Sequence, residues 1–245
     1  MHLQFVGCGD AFGSGGRFNT CFHLVGRDAN VLIDCGATSL VALNKLAIDR
    51  NAIDLIIISH FHADHVGGVP FFLLEASHTL KRQRPLTIAG PCGLKARCVE
   101  LMETAYPGTK NMSLRFPLTV QELPVGSRSV LGSVKVIAFH VAHDDRAGPC
   151  LGFRFEVDGK TIGFSGDTEW TDALIGIGRD ADLFICEAYT RDRPIEGHMT
   201  LSALEQHLGA IRPKRLVLTH MSTDMLARRG ELAFEAAEDG MIVEL

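Results

Sequence analysis

Positive charge is in short supply. The 245 residues include 24 lysines and arginines against 29 aspartates and glutamates, a formal net charge of −5 at pH 7. The chain as a whole therefore lacks the electrostatic pull toward phosphate backbones that strong nucleic-acid binders show. Two short basic clusters, Lys81 to Arg84 and Arg212 to Arg215, could form local patches, although clusters this short ordinarily read as solvated surface. Paired cysteine motifs are also missing. The seven cysteines are odd in number and scattered without a C-x-x-C pair, which argues against a disulfide framework or a thiolate zinc site and points to a reducing, cytoplasmic setting. Cys21 in TCFHLV and Cys186 in DLFICEA lie in apolar runs and read as small buried hydrophobes. No stretch approaches the ~20 apolar residues of a membrane helix. The opening MHLQFVGCGD is polar by its fourth residue and lacks the basic start and long apolar segment of a signal peptide, so it is expected to form a first strand. With no visible repeat, low-complexity tract or linker, and with 46% hydrophobic residues, residues 1–245 are expected to form one large domain.

What the sequence does have is many short β-type runs. They fall at Leu3 to Gly7, Cys21 to Val25, Val31 to Cys35, Leu55 to Ser59, Leu86 to Ala89, Val134 to Val141, Cys150 to Val157, Thr161 to Ser165, Leu183 to Glu187, Arg215 to Thr219 and Met241 to Glu244. Helical patterns lie between them at Ser39 to Ala47, Pro70 to Ala76, Gly93 to Thr104, Trp170 to Ile177, Leu201 to Leu208 and Glu231 to Glu238, the last closed by Gly240. Val157-Asp158-Gly159-Lys160 places a D-G pair between two β runs, a strong hairpin signal. Strands lead each half and helices follow, which predicts an α/β fold of two mixed sheets packed face to face with helices outside. Gly7, Gly9, Gly13, Gly15 and Gly16 form a glycine-rich loop after the first strand. A dinucleotide loop should open a helix, whereas Arg17 to Val25 runs on toward another strand, so a tight rim to a site is the better reading.

The densest chemistry lies in Ile56-Ile57-Ile58-Ser59-His60-Phe61-His62-Ala63-Asp64-His65, where an apolar strand runs into three imidazoles and a carboxylate. Alternate residues of an extended stretch point the same way, and Asp64 and His65 follow as the chain turns into Val66-Gly67-Gly68. One histidine at a strand end is adequately explained by water or neighbouring backbone. Four residues of ligand type in this order point to metal, because neutral imidazole and carboxylate are the donors that zinc and its neighbours prefer.

The H-x-H-x-D-H pattern resembles the signature of metallo-β-lactamase-fold hydrolases, and the later motifs of that family follow in order along essentially the whole chain. His143 in Phe139-His140-Val141-Ala142-His143-Asp144, Asp167 in Ser165-Gly166-Asp167-Thr168 and His220 in Leu218-Thr219-His220-Met221 match them. His140 competes with His143, but the two fall on opposite faces of a strand, and His143 stands last before a polar loop. His140 is then expected to pack or to support the site from behind. The resemblance implies a four-layer αββα sandwich and two divalent metal ions. The first would be held by His60, His62 and His143, the second by Asp64, His65 and His220, with Asp167 bridging. Zinc is the default, and manganese or iron can occupy similar sites. Two cations ~3.5 to 4 Å apart can lower the pKa of a shared water toward ~7, which supplies a bridging hydroxide for hydrolysis.

Two further segments narrow the branch. Ala181 to Tyr189, with Cys186-Glu187-Ala188, resembles the "H-E-A-T" strand of ribonuclease Z, and Gly197-His198-Met199-Thr200 resembles its "H-S-T" motif. The resemblance implies a phosphodiesterase in which His198 stabilises phosphate or protonates the leaving oxygen and Glu187 orients it. Turnover is then expected to depend on Asp64, His198 and Glu187. Cys186 replaces the first histidine of the motif, a departure read as minor, and Thr200 is also a plausible helix N-cap. Ribonuclease Z proteins that mature tRNA commonly carry a basic arm between the third and fourth motifs. Only 23 residues separate His143 from Asp167 here, enough for a loop and the D-G hairpin. A small phosphodiester is therefore favoured, such as a cyclic nucleotide, a cyclic sugar phosphate or a nucleotide ester, with tRNA as the alternative. A lactonase or thioesterase on the same metals, or a non-catalytic ligand-binding module, would keep the ligands without needing His198. No membrane partner is expected, and the resemblance implies a homodimer.

Overall fold

The computed structural model describes residues 1–110 and 112–245. One seven-stranded sheet has the order β14-β1-β2-β3-β4-β5-β6, from β1 His2–Gly7, β2 Cys21–Val25, β3 Asn30–Ile33, β4 Leu55–Ile57, β5 Leu86–Gly90, β6 Leu118–Glu122 and β14 Ile242–Glu244. The second, also seven-stranded, has the order β13-β12-β11-β10-β9-β8-β7, from β7 Arg128–Leu131, β8 Val134–His140, β9 Leu151–Val157, β10 Lys160–Phe164, β11 Leu183–Glu187, β12 Leu216–Thr219 and β13 Glu235–Ala236. Each sheet is antiparallel on one side and parallel on the other. The helices are α1 Ser39–Lys45, α2 Ala63–Val66, α3 Val69–His78, α4 Leu94–Ala105, α5 Ala173–Gly178, α6 Leu201–Ile211 and α7 Thr223–Ala227. This is the two-sheet, helix-flanked arrangement expected from the residue pattern.

Side-chain alternation explains the layering. In β3 and β4, Val31, Ile33, Leu55 and Ile57 face the layer between the sheets, while Leu32, Ile56 and Ile58 face the layer under the first helices. In β11, Leu183 and Ile185 join the central layer while Phe184 and Cys186 join the layer under the later helices. Strands covered on both faces need apolar residues at every position, which is why these runs read as unbroken hydrophobic stretches. The two sheets meet through Phe5, Phe22 and Phe164, whose rings pack edge to face at 5.0 and 5.3 Å. Each such pair contributes about 0.5 to 1.5 kcal/mol beyond its buried area. Among the described residues no helix is long and apolar enough to cross a membrane, and all seven cysteines are free.

The structure corrects two expectations. The segment expected to be helical at Glu231 to Glu238 is instead a short 3-10 turn, Arg229–Glu231, followed by β13, which pairs in parallel with β12. Leu232, Phe234 and Ala236 pack into the helix-side layer and Ala237 into the central one, so the apolar residues follow a period of two. The basic cluster at Lys81 to Arg84 is also not simple surface, because Arg82 is only 2% exposed. Its guanidinium donates to the carbonyls of Arg84, Arg50, Asn51, Ile53 and Pro85 at 2.7 to 3.3 Å, clamping the turn that feeds β4. The short edge strands β6 and β7 went unread because their residues are half exposed and carry little apolar signal.

Replacing Arg82 by Met strands those carbonyls. It is expected to lower unfolding free energy by roughly 2 to 4 kcal/mol in urea titration, with turnover unchanged well below the unfolding midpoint; an unshifted midpoint would contradict the clamp.

Candidate functional site

The site forms at the carboxyl ends of parallel strands, where chain directions coincide and loops can converge. The His60 to His65 segment follows β4, Asp167 follows β10, Glu187 ends β11 and His220 follows β12. β8 runs the same way as β10, because each is antiparallel to β9, and so it delivers His143 to the same edge. Leu151 N donates to Ser59 O at 3.0 Å, and His220 N donates to Cys8 O at 3.1 Å, which ties the two sheets together beside the site.

All seven residues expected from the motifs meet there. Donor atoms of His60, His62 and His143 lie within 4.8 Å of one another, as do those of Asp64, His65, Asp167 and His220. Asp167 Oδ2 lies 3.2 Å from both His65 Nε2 and His220 Nε2, 3.9 Å from His60 Nε2 and 4.0 Å from His143 Nε2. The far nitrogens of these rings are anchored. His65 Nδ1 meets Asp34 Oδ2 at 2.7 Å, His60 Nδ1 meets Ser59 Oγ at 3.0 Å, and His220 Nδ1 meets Thr20 Oγ1 at 3.4 Å. His143 Nδ1 donates to Gly197 O at 2.6 Å. Anchoring Nδ1 turns the unprotonated Nε2 inward, the tautomer that a metal requires. Nε2 of His60 and of His65 is buried without a hydrogen-bond partner among the described residues. Buried polar atoms are seldom left so, and the nitrogen and oxygen donor set suits divalent cations. The residues fit the metals that the motifs imply.

His140 does not pack as expected. Its exposed ring pairs with Asp145 at 3.0 Å, although its parity in β8 is that of Val134, Val136 and Ala138, which fill the central layer. Asp34 is the largest omission from the sequence reading. It is fully buried, accepts from Ser59 N and Ser59 Oγ at 2.7 and 2.8 Å, and holds His65. Its only signal was an acid directly after the apolar run of β3. In the glycine-rich loop, a side chain at Gly7 would meet Asn19 O at 2.1 Å, and Asp10 accepts from Phe12 N, Ser14 N and Ser14 Oγ. The loop thus passes closely under the Thr20 side of the site.

His198 and Glu187 stand beside the cluster. His198 Nδ1 lies 3.0 Å from Glu187 Oε2, and Glu187 is fully buried with Oε1 accepting from Thr168 N. Burial by itself would lower the His198 pKa, but the hydrogen bond and charge of Glu187, with Asp167 and Asp64 beyond, raise it to about 9. Burial raises Glu187, and the nearby Asp167 charge adds to it. Thr200 caps α6 by accepting from Ala203 N at 3.2 Å, so the residue that caps the helix also fixes the loop bearing His198. A cavity of about 480 Å³ opens over the cluster, lined by His62, His143, Asp144, Arg146, Glu196, Gly197 and His198. The guanidinium in its lining, Arg146, grips Asp144 with two hydrogen bonds.

A family model described as anti-Pycsar protein Apyc1 matches residues 1–237. Ribonuclease Z of Agathobacter rectalis is 28% identical over 264 aligned positions, covering 86% of this chain and 84% of that protein. Human tRNase Z, short form, superposes with a TM-score of 0.81 at 28% identity, covering 100% of this chain and 99% of that one. A diphosphatase of the PhnP family superposes with a TM-score of 0.77 at 19% identity, covering 100% and 97%, a likeness of fold alone.

Two measurements follow from the anchors. Asp34→Ala is expected to weaken divalent-metal binding by roughly 10- to 100-fold in competition with a chelator. Asp34→Asn, which keeps an acceptor and tolerates the left-handed φ of 59°, should lose less; equal, unaltered affinity in both would remove Asp34 from the site. In metal-free protein followed by NMR, His198 should titrate near 9, and Glu187→Gln should bring it down to or below the ordinary ~6.5. Because the folded pKa of His198 lies above the unfolded one, the stability contributed by its protonation is complete below ~6.5 and is lost as pH rises through about 9. A wild-type value under 6.5 would refute the pairing.

Proposed function

The chain belongs to the anti-Pycsar protein Apyc1 family and is a ribonuclease Z-like, metal-dependent hydrolase of the metallo-β-lactamase fold, and we propose that it hydrolyses a small phosphodiester such as a cyclic nucleotide, a cyclic sugar phosphate or a nucleotide ester. The observation that carries this reading is the Glu187–His198 pair standing against Asp167 and His143 in the wall of a small cavity.

Two divalent ions, zinc by donor chemistry, would be held by His60, His62 and His143 and by Asp64, His65 and His220, with Asp167 between them. When bound, such ions lower the pKa of water and offset charge developing on phosphate. The chain itself supplies orientation and a proton. Glu187 occupies His198 Nδ1, leaving Nε2 as the ring's second donor, and the carboxylate of Glu187 favours the protonated ring. It can hydrogen-bond a phosphate oxygen or protonate the leaving oxygen. Glu187 cannot swing away, because it is buried and bonded on its other oxygen to Thr168 N.

Size and charge favour a small ester. A cavity of about 480 Å³ lies within the ~300 to 1,000 Å³ range of small-molecule sites. Its rim carries Asp144 and Glu196, and the guanidinium of Arg146 is tied to Asp144. The cluster at Arg212 to Arg215 is spent on ion pairs, Arg212 with Asp180, Lys214 with Asp182 and Arg215 with Glu235. Between His143 and Asp167 the structure has a single turn and the β9–β10 hairpin, closed at Asp158 and Gly159 with positive φ. These features supply no strip of free cations for a long polyanion. Precursor tRNA remains the second reading, because relatives matched over most of their own length are named ribonuclease Z or tRNase Z.

The test is turnover of metal-loaded enzyme on a cyclic nucleotide, bis-para-nitrophenyl phosphate, precursor tRNA, a lactone and a thioester. Cyclic-nucleotide turnover should vanish in Asp64→Ala and fall about 10²- to 10⁴-fold in His198→Ala. Activity confined to lactone or thioester and indifferent to His198 would overturn the substrate class, and site-specific cleavage of precursor tRNA alone would establish the second reading.

A further inference from the structure

Glu187 fixes one atom of the His198 ring but not its plane, since a single hydrogen bond leaves rotation about its axis. Three rings surround the imidazole. Tyr189 is nearest, with centroids 4.5 Å apart and planes 28° from parallel; His143 lies edge-on at 4.9 Å and His220 stacks at 5.6 Å. Tyr189 is itself held from both sides. Its N–H donates to Met199 O at 2.9 Å, on the residue after His198, and its carbonyl accepts from Ser222 N at 3.0 Å, two residues beyond His220. Ala188 N donates to Thr219 O at 3.0 Å. The segment Glu187 to Tyr189 therefore presents both a carboxylate in the plane of the imidazole and an aromatic face against it. In the H-E-A-T strand that this segment resembles, the Tyr189 position is a threonine, which has no such face.

The geometry points to Tyr189 as a positioning residue that fixes the plane of His198, so that Nδ1 stays on Glu187 and Nε2 is presented to a substrate oxygen. Offset stacking supplies the restraint, and ring packing at this distance is favourable beyond its buried area. The phenol oxygen is not needed for this role, so Phe should serve and an aliphatic of similar size should not. The inference rests on His198 acting on the substrate, as proposed above.

The experiment is a double-mutant cycle on metal-loaded enzyme with a cyclic nucleotide as substrate, with metal content and unfolding midpoint measured for each variant. His198→Ala alone tests the underlying reading, and no loss there means that the reading fails, whatever Tyr189 does. Given a loss, Tyr189→Ala is expected to lower kcat roughly 10- to 100-fold with KM nearly unchanged, and to add nothing in the His198→Ala background. Tyr189→Phe should stay within about twofold of wild type, whereas Tyr189→Leu should behave as Tyr189→Ala; the Leu variant replaces the Ala variant in the cycle if the latter does not fold. Loss in Tyr189→Ala that multiplies with that of His198→Ala, or full activity in Tyr189→Leu, would overturn the inference.

Discussion

Asp167 Oδ2 stands within 4.0 Å of nitrogens from four imidazoles, with Asp64 close by. A buried carboxylate is tolerated only when charged partners or hydrogen bonds compensate it. Burial pushes Asp167 up, yet His220, His65 and His60 together hold it well below the usual carboxylate range. The same field works on His65, where burial opposes the charged ring but Asp167, Asp64 and Asp34 raise its pKa well above normal. So many donors facing one another are hard to keep together without a cation. The fold keeps them there by anchoring the back of each ring to an element that cannot easily move. Asp34 follows β3, Ser59 follows β4, Thr20 leads into β2 and Gly197 precedes α6. Neither sheet could form the cluster alone, because the first supplies His60 to His65 and the second supplies His143, Asp167 and His220.

Charge at the rim follows a different rule from charge at the centre. Within the cluster, acids and imidazoles face one another at contact distance. Outside it, Arg212, Lys214 and Arg215 are each paired with an acid, and the guanidinium lining the cavity is bound to Asp144. Such a surface offers little long-range attraction to a polyanion. On the proposed reading, recognition would fall to the cavity itself, through its shape and a few directed hydrogen bonds.

The sequence made the central chemistry legible because it is contiguous or strand-terminal. Three imidazoles and an acid within six residues leave few alternatives, and later ligands stand where apolar strands give way to polar loops. Asp34 was not legible, since a lone acid after a strand is common, and only the fold reveals that His65 lies beside it. Strand parity could not separate His143 from His140, because β8 ends at His140, nor could it show that His140 would face solvent and pair with Asp145. The Glu231 to Glu238 segment reads as helical from the spacing of its apolar residues, whereas Leu232, Phe234 and Ala236 pack to one side along a stretch that ends in the two-residue strand β13. Arg82 misled for the opposite reason. Composition marks an arginine in a basic run as surface, and only the convergence of five carbonyls makes its burial affordable.

The same parity argument sorts the two departures from the motif that β11 resembles. Cys186 is fully buried and packs among the side chains under α5, α6 and α7, on the face of the sheet away from the cluster. A cysteine in place of histidine there changes a packing contact and leaves the site alone. Glu187, one residue on, has the parity of Leu183 and Ile185 and emerges where the central layer opens into the cavity. Tyr189 shares that side and reaches His198 directly. Of the two changes, the one at 186 lies in the core and the one at 189 lies against the ring of His198, which is proposed to act on substrate. The second is where this chain's chemistry can diverge from that of relatives that keep the ordinary motif.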